Sequence, residues 1–233
     1  MSSIPYRTAL IIGAGPGISA SLTRQLSAAG LAVALAARNV EKLAPLTAET
    51  GATAFAAEAA DPASVAALFA AVTARIGAPE VVVYNASARA PGPLAEIEPE
   101  ALRRAVEITA FGGFLAVQQA ARGMVPQGRG AILLTGATAS IKGFAGSAAF
   151  AMGKFALRGL AQSAARELGP KGIHVAHVVI DGGVRSERRP ASPDSPDSLL
   201  DPDAVAAAYG DLLRQPRSAW SFEIDLRPWV ERF

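Results

Sequence analysis

Short apolar runs alternate along this chain with longer stretches of helical pattern, and this alternation restricts its fold more than any other feature. Runs of strand length occur at Ala9–Ile12, Leu31–Ala36, Ala52–Ala56, Val81–Tyr84, Ala131–Thr135, His174–Ile180 and Trp220–Leu226. Stretches of helix length lie at Ile18–Ala29, Val40–Thr50, Pro62–Ile76, Pro99–Met124, Ala148–Leu168 and Ala204–Arg214. Strands that alternate with helices build parallel sheets. The sequence therefore predicts an α/β fold, a doubly wound parallel sheet of about seven strands with helices on both faces.

Domain organisation follows from length and from one segment that breaks the alternation. A chain of 233 residues suits a single domain, which we place at residues 1–233. Residues 185–203 are rich in proline, serine and charge. The segment is too polar for a core and too long for an ordinary connection, so we predict a mobile loop on the substrate side of that domain.

Composition excludes several kinds of chemistry. The chain has no cysteine and only two histidines, so we expect no disulfide, no thiolate catalysis and no metal site. The formal net charge is +2, which argues against sequence-independent nucleic-acid binding. No apolar run approaches the roughly 20 residues that cross a bilayer, and the N-terminus lacks a leader pattern. We therefore expect a cytoplasmic protein with no membrane partner.

A glycine-rich segment follows the first predicted strand directly and opens the first predicted helix. It contains Gly13, Gly15, Pro16, Gly17 and Ile18. Glycines let backbone N–H groups approach a pyrophosphate, which the helix N-terminus also favours electrostatically. A plain glycine-rich turn is the alternative. The position in the first βα unit favours a dinucleotide site, although Ile18 at the sixth position departs from the G-x-G-x-x-G spacing.

The spacing instead resembles the G-x-x-x-G-[IL]-x loop of the short-chain dehydrogenase/reductase family, and the resemblance covers nearly the whole chain. Val82–Ser87 is similar to that family's V-x-N-N-A-G segment, and Phe150–Lys154 stands where the family has Y-x-x-x-K. Ile180–Val184 resembles the family's exit from the sixth strand. The resemblance implies a Rossmann-like doubly wound parallel sheet, a nicotinamide cofactor, and hydride transfer to or from a small organic substrate. It also implies a homodimer or homotetramer.

The resemblance also indicates which residues contact the cofactor. They lie in the glycine loop, at the ends of the predicted strands and after the sixth strand. The set is Gly13, Gly15, Pro16, Gly17, Ile18, Arg38, Glu58, Ala59, Asn85, Ala86, Ser87, Lys154, Gly183, Val184 and Ser186.

The residues after the second strand bear on the choice between NADP(H) and NAD(H). An NAD site places an acid at the strand end to bind the ribose 2′-hydroxyl, but Ala37 occupies that position here. Arg38 follows at once, and a guanidinium can bind a 2′-phosphate through two hydrogen bonds. The alternative is a solvated arginine that opens the next helix. We predict NADP(H) in preference to NAD(H).

The family's catalytic set is incomplete in this sequence. The resemblance places Phe150 at the position of the catalytic Tyr, Ala137 at that of the Ser, and Thr109 at that of the Asn. Lys154 alone is retained. We therefore predict an NADP(H)-binding oxidoreductase with a degenerate catalytic set, and whether it acts as an enzyme stays open. The alternative is a catalytically silent nucleotide-binding sensor or scaffold protein.

Other residues are weaker candidates for a role in the site. Tyr84 at the end of the fourth strand, or Thr138 beside Ala137, could substitute for the missing groups. The Arg185–Arg189 cluster is either solvated or in contact with an anionic substrate or the cofactor phosphates.

Overall fold

A parallel sheet forms the centre of the protein in the computed structural model, which describes residues 3–231. The strands are β1 (Thr8–Ile12), β2 (Ala32–Ala37), β3 (Thr53–Ala56), β4 (Val81–Tyr84), β5 (Gly130–Thr135), β6 (Ile173–Ile180) and β7 (Glu223–Leu226). Their spatial order is β3-β2-β1-β4-β5-β6-β7, and every neighbouring pair is parallel. The predicted doubly wound sheet of seven strands is confirmed.

Seven α-helices flank the sheet. They are α1 (Ile18–Ala28), α2 (Ala44–Thr50), α3 (Pro62–Ile76), α4 (Pro99–Val106), α5 (Gly112–Met124), α6 (Ala148–Leu168) and α7 (Pro202–Arg214). One hydrophobic core joins the sheet to α3, α5 and α6 through Val65, Leu115 and Leu157. A second core on the other face includes Leu22 of α1 and Tyr209 of α7. Helices therefore cover both faces, as the sequence predicts.

The predicted helix over Pro99–Met124 is interrupted. Residues Glu107–Phe111 form a π-helical turn between α4 and α5. The buried Tyr84 hydroxyl donates a hydrogen bond to the Ile108 carbonyl within this turn. The Ile108 carbonyl thus has a hydrogen-bond partner outside the helix. Single π-helical turns are frequent at functional sites. A side chain at Gly112 would overlap Tyr84, so the glycine allows the helix to approach the sheet.

The last strand is shorter than predicted and the last helix begins earlier. The strand begins at Glu223, not Trp220, because Ser221 N–H donates to the Gln215 side chain and the Trp220 indole donates to the Gln215 carbonyl. Helix α7 begins at Pro202, because the Asp201 carboxylate caps it by accepting from the Asp203 N–H at 2.8 Å.

Between β6 and α7 the chain forms short backbone bridges, with Val184 beside Leu200 and Ser186 beside Arg189. The segment 185–203 thus ends in the first turn of α7, and its mobility stays a prediction. The predicted domain boundary of 1–233 includes four terminal residues that lie outside the described residues. Within residues 3–231 no helix is long and apolar enough to cross a membrane, and no cluster of three metal-ligating side chains occurs.

Candidate functional site

An open cleft lies where the strand order reverses, at the carboxyl ends of β1 and β4. Strand β1 pairs with β2 on one side and with β4 on the other. The loops that follow β1 and β4 therefore run in opposite directions and leave space between them. We call this cavity of about 630 Å³ the outer cleft. Predicted cofactor residues along it are Gly13, Gly15, Pro16, Arg38, Glu58, Ala59, Asn85, Ala86 and Ser87.

The glycine loop is held against the end of β4. Gly13 has a φ of +85°, and a Cβ there would overlap the backbone of Ala86, so a larger residue would have to push the two loops apart. The Asn85 side-chain amide donates to the Ser19 hydroxyl at 2.8 Å and ties the first turn of α1 to the same strand end. Gly17 precedes α1 with a φ of +84° and lies outside the cavity lining. The loop therefore presents backbone and a helix N-terminus to the cleft.

Positive side chains dominate the charge of the outer cleft. Four cations line it, Arg38, Lys42, Arg89 and Arg104, together with one carboxylate, that of Glu58. Arg104 and Glu58 approach each other to 3.8 Å, whereas no carboxylate of the described residues forms an ion pair with Arg38 or Lys42. The uncompensated charge favours an anionic ligand such as a phosphate.

A second cavity of about 390 Å³, the inner pocket, lies beside the outer cleft at the ends of β5 and β6. The two cavities share Asn85, Ser87 and Arg89 in their walls, so they adjoin each other. Predicted site residues that line the inner pocket are Ile18, Ala137, Thr138, Phe150, Lys154, Gly183 and Val184. The structure therefore brings most of the predicted set into the walls of two adjoining cavities. Ser186 is outside both linings, where its backbone pairs with Arg189.

Lys154 is the buried cation of the inner pocket. Its side chain extends from α6 and the ammonium donates to the Thr135 carbonyl at 2.6 Å. Burial, with a smaller contribution from the nearby positive charge of Arg89, lowers the pKa of Lys154 to about 7. Near neutral pH this amine can therefore both gain and lose a proton.

An arginine covers the aromatic ring that the sequence places four residues before Lys154. The Arg89 guanidinium carbon lies 3.9 Å from the centre of the Phe150 ring, a cation–π contact. Desolvation lowers the pKa of Arg89, and the charge of Arg189 adds to this shift. The Phe150 side chain has neither a hydrogen-bond donor nor an acceptor. The polar groups near it are the side chains of Arg89 and Lys154.

The loop after β5 offers little that could bind a substrate oxygen. Ala137 has no polar side chain, and its backbone N–H donates to Ser140 Oγ at 3.1 Å. The Thr138 hydroxyl donates to Asp181 Oδ1 at 2.6 Å. Thr138 thus reaches the pocket wall, but its proton is already engaged.

Two other candidates lie behind the pocket. Thr109 is fully buried in the π-helical turn, where its hydroxyl oxygen accepts from the Ala88 N–H at 3.1 Å. The Tyr84 side chain is fully buried in the core, and burial raises its pKa well above the ordinary value of 10.0. The Tyr84 hydroxyl donates its proton to the Ile108 carbonyl, so it is not placed to donate that proton to a ligand in the pocket.

The sequence interpretation missed Arg89 as a residue of the site. It borders both cavities and contacts Phe150. The sequence offered one signal for this role: Arg89 lies two residues after Ser87, where the predicted cofactor segment ends. Arg189 also lines the inner pocket, which supports ligand contact over simple solvation for that member of the Arg185–Arg189 cluster.

Comparisons with known proteins agree with this architecture. A profile of the family described as short chain dehydrogenase matches residues 7–194. A cyclic-di-GMP-binding biofilm dispersal mediator protein of Escherichia coli (strain K12) is 33% identical over 204 residues, which cover 85% of this chain and 82% of that protein.

Two crystal structures extend the similarity over almost the whole chain. A short-chain dehydrogenase from Rhodopseudomonas palustris is 40% identical with a TM-score of 0.83, covering 96% of this chain and 99% of that one. A metagenomic short-chain oxidoreductase in complex with NADP is 28% identical with a TM-score of 0.85, covering 99% and 100%. The sheet order, the glycine loop at the strand reversal and the family match together establish that this chain belongs to the short-chain dehydrogenase/reductase family.

Proposed function

We propose that the protein is an NADP(H)-binding oxidoreductase that moves a hydride between the nicotinamide and a small organic substrate. The observation that carries the proposal is that the positively charged outer cleft, beside the glycine loop, adjoins the inner pocket that holds Lys154. A similar protein of known structure, the metagenomic oxidoreductase, binds NADP. The inner pocket, of about 390 Å³, has room for a compact organic molecule.

The residues of the outer cleft fit this cofactor. The backbone of Gly13 and Gly15 and the N-terminus of α1 would hold the pyrophosphate, and Arg38 would bind the 2′-phosphate. Lys154 would hold the nicotinamide ribose. The nicotinamide supplies the hydride when it is bound.

The catalytic set differs from that of the family at three positions. We propose that Phe150, Ala137 and Thr109 stand where the family has Tyr, Ser and Asn. Loss of a positioned acid lowers a rate by about 10² to 10⁴. Lys154 is the group in the inner pocket whose proton can move near neutral pH, so we assign it the proton transfer that the phenol would otherwise perform.

The test of the cofactor assignment is a calorimetric titration of NADPH and NADH into the protein and into Arg38→Ala. We expect NADPH to bind about tenfold or more tightly than NADH, because a guanidinium–phosphate contact supplies at least that factor. Arg38→Ala should remove most of this difference. The matched control is Arg75→Ala, an exposed arginine at the C-terminal end of α3 and outside both cavities. Equal affinities for the two nucleotides would contradict the assignment of Arg38.

A second function, a catalytically silent nucleotide-binding sensor, is favoured by the apolar side chains of Phe150 and Ala137 in the pocket. The Escherichia coli relative described as a cyclic-di-GMP-binding mediator supports the same possibility. Titration of cyclic-di-GMP distinguishes the two functions. We expect no binding of cyclic-di-GMP at concentrations that saturate NADPH binding; tighter binding of cyclic-di-GMP than of NADPH would favour the sensor.

We further propose one domain over 1–233, a mobile segment at 185–203 beside the substrate, a homodimer or homotetramer, and a cytoplasmic location. The first two rest on the sequence pattern, the oligomeric state on the family resemblance, and the location on the lack of an apolar run of membrane length in the sequence.

A further inference from the structure

The proposed function gives no role to the two arginines of the inner pocket, Arg89 and Arg189. Arg89 and Arg189 lie at its exposed edge, and Lys154 is buried within it. Neither arginine side chain forms an ion pair with a carboxylate of the described residues. Three positive side chains therefore border one small cavity.

These cations act on one another. The positive charge of Arg189 lowers the pKa of Arg89, and the charge of Arg89 lowers that of Lys154. Like charges this close repel, and a bound anion would remove the repulsion. The arrangement thus favours a negatively charged ligand over a neutral one.

The acidic side chains near the inner pocket do not neutralise its arginines. Asp181 accepts a hydrogen bond from the Thr138 hydroxyl and lies 3.6 Å from Arg227. The Glu231 carboxylate approaches Gly182 at the pocket edge and forms no ion pair with either pocket arginine. Both acids therefore leave the cations of the pocket available.

The Phe150 ring gives the site a defined geometry. The Arg89 guanidinium, a planar group with five N–H donors, lies over the face of this ring. Phe144 and Ile18 add apolar surface to the same pocket. A planar cation beside apolar walls suits a carboxylate attached to a hydrocarbon or aromatic body.

We infer that the substrate of this protein is a small organic carboxylate, whose charged group binds to Arg89 and Arg189 in the inner pocket. The inference rests on the proposed function, since it names the substrate class of that same site. Inorganic or cofactor phosphate is the rival anion, because Arg89 also borders the outer cleft.

The test uses benzoate and benzamide, which have nearly the same shape and differ in charge. Both are titrated calorimetrically into the protein saturated with NADP⁺. We expect benzoate to bind about tenfold more tightly than benzamide. Arg89→Gln and Arg189→Gln should each weaken benzoate binding about fivefold or more, whereas Arg188→Gln, a neighbouring arginine outside both cavities, should change it less than about twofold.

The remaining outcomes separate this inference from the proposed function. Equal binding of the two probes, or no benzoate binding while NADP⁺ binds, overturns the inference alone. Competition between benzoate and NADP⁺ also overturns it, because the arginines would then bind the cofactor phosphates. Failure of NADP⁺ and NADPH to bind overturns the proposed function, and benzoate binding that depends on both arginines would still support an anion site.

Discussion

Replacement of Lys154 by methionine should change how the stability of the protein depends on pH. The ammonium is buried in the unaltered protein, and burial lowers its pKa from the usual 10.5 to about 7. Between these two pH values the unfolded chain binds the proton and the folded chain does not. Unfolding then takes up a proton, so the free energy of unfolding rises with pH in this window. Lys154→Met has no group to titrate and lacks this contribution.

The size of the effect follows from the two pKa values. Each pH unit in which only the unfolded state is protonated contributes about 1.4 kcal/mol. Since the folded lysine is half protonated near pH 7, the contribution between pH 7 and pH 9 comes to about 2 kcal/mol. The free energy of unfolding of the protein, measured relative to that of Lys154→Met, should therefore rise by about 2 kcal/mol from pH 7 to pH 9. At low pH the buried lysine is charged, which costs stability that the variant does not lose.

The measurement is urea unfolding at several pH values from 6 to 9, without added nucleotide. The other titrating groups are common to the two proteins. The Lys154 charge contributes to the pKa of His177, but burial lowers that pKa below 6.5, so the contributions of the other groups largely cancel between pH 7 and pH 9. Leu157→Val is a matched control on the same helix, because it alters another buried side chain of α6 without removing a titrating group. A difference between the protein and Lys154→Met that stays constant with pH would refute the burial argument for the Lys154 ammonium.

Two further substitutions test the structural parts of the site. Tyr84→Phe should lower the free energy of unfolding by about 1 to 3 kcal/mol in urea unfolding, since it leaves the Ile108 carbonyl without its partner. NADPH affinity should stay within about twofold, and a large loss of turnover at unchanged stability would contradict the structural role. Gly13→Ala should reduce NADPH affinity about tenfold or more because the new Cβ displaces the loop from Ala86. Gly30→Ala shares the positive φ but has open space around it, so it should lose stability and keep its NADPH affinity; equal NADPH losses would contradict the role of the loop.

The sequence predicts the fold well because parallel strands buried on both faces are continuous apolar runs. Val81–Tyr84 and Ala148–Leu168 have the same bounds in the sequence and in the structure. The π-helical turn was not predictable, because it depends on the Tyr84 hydroxyl, which comes from a strand far along the chain. Local patterns do not reveal which carbonyl such a side chain will reach.

The site was partly predictable because its residues follow strands that the sequence predicts. Residues at the ends of strands β1, β2 and β4 had to meet at one edge of the sheet, and Gly13, Arg38 and Asn85 do so. The face on which a strand-end side chain lies is set by register, so the sequence left open whether Tyr84 would reach the pocket. Arg89 lay on a loop, and its contact with Phe150 arises only from tertiary packing.

Hydride transfer itself is the most direct test of the proposed function. NADPH carrying deuterium at the transferred position is incubated with the protein and a panel of aldehydes and 2-oxo acids, and the products are analysed by mass spectrometry. We expect slow incorporation of one deuterium, and a large increase for Phe150→Tyr with Ala137→Ser, because a restored acid contributes about 10² to 10⁴ in rate. No deuterium in any product from either protein, while both bind NADPH, would contradict an oxidoreductase.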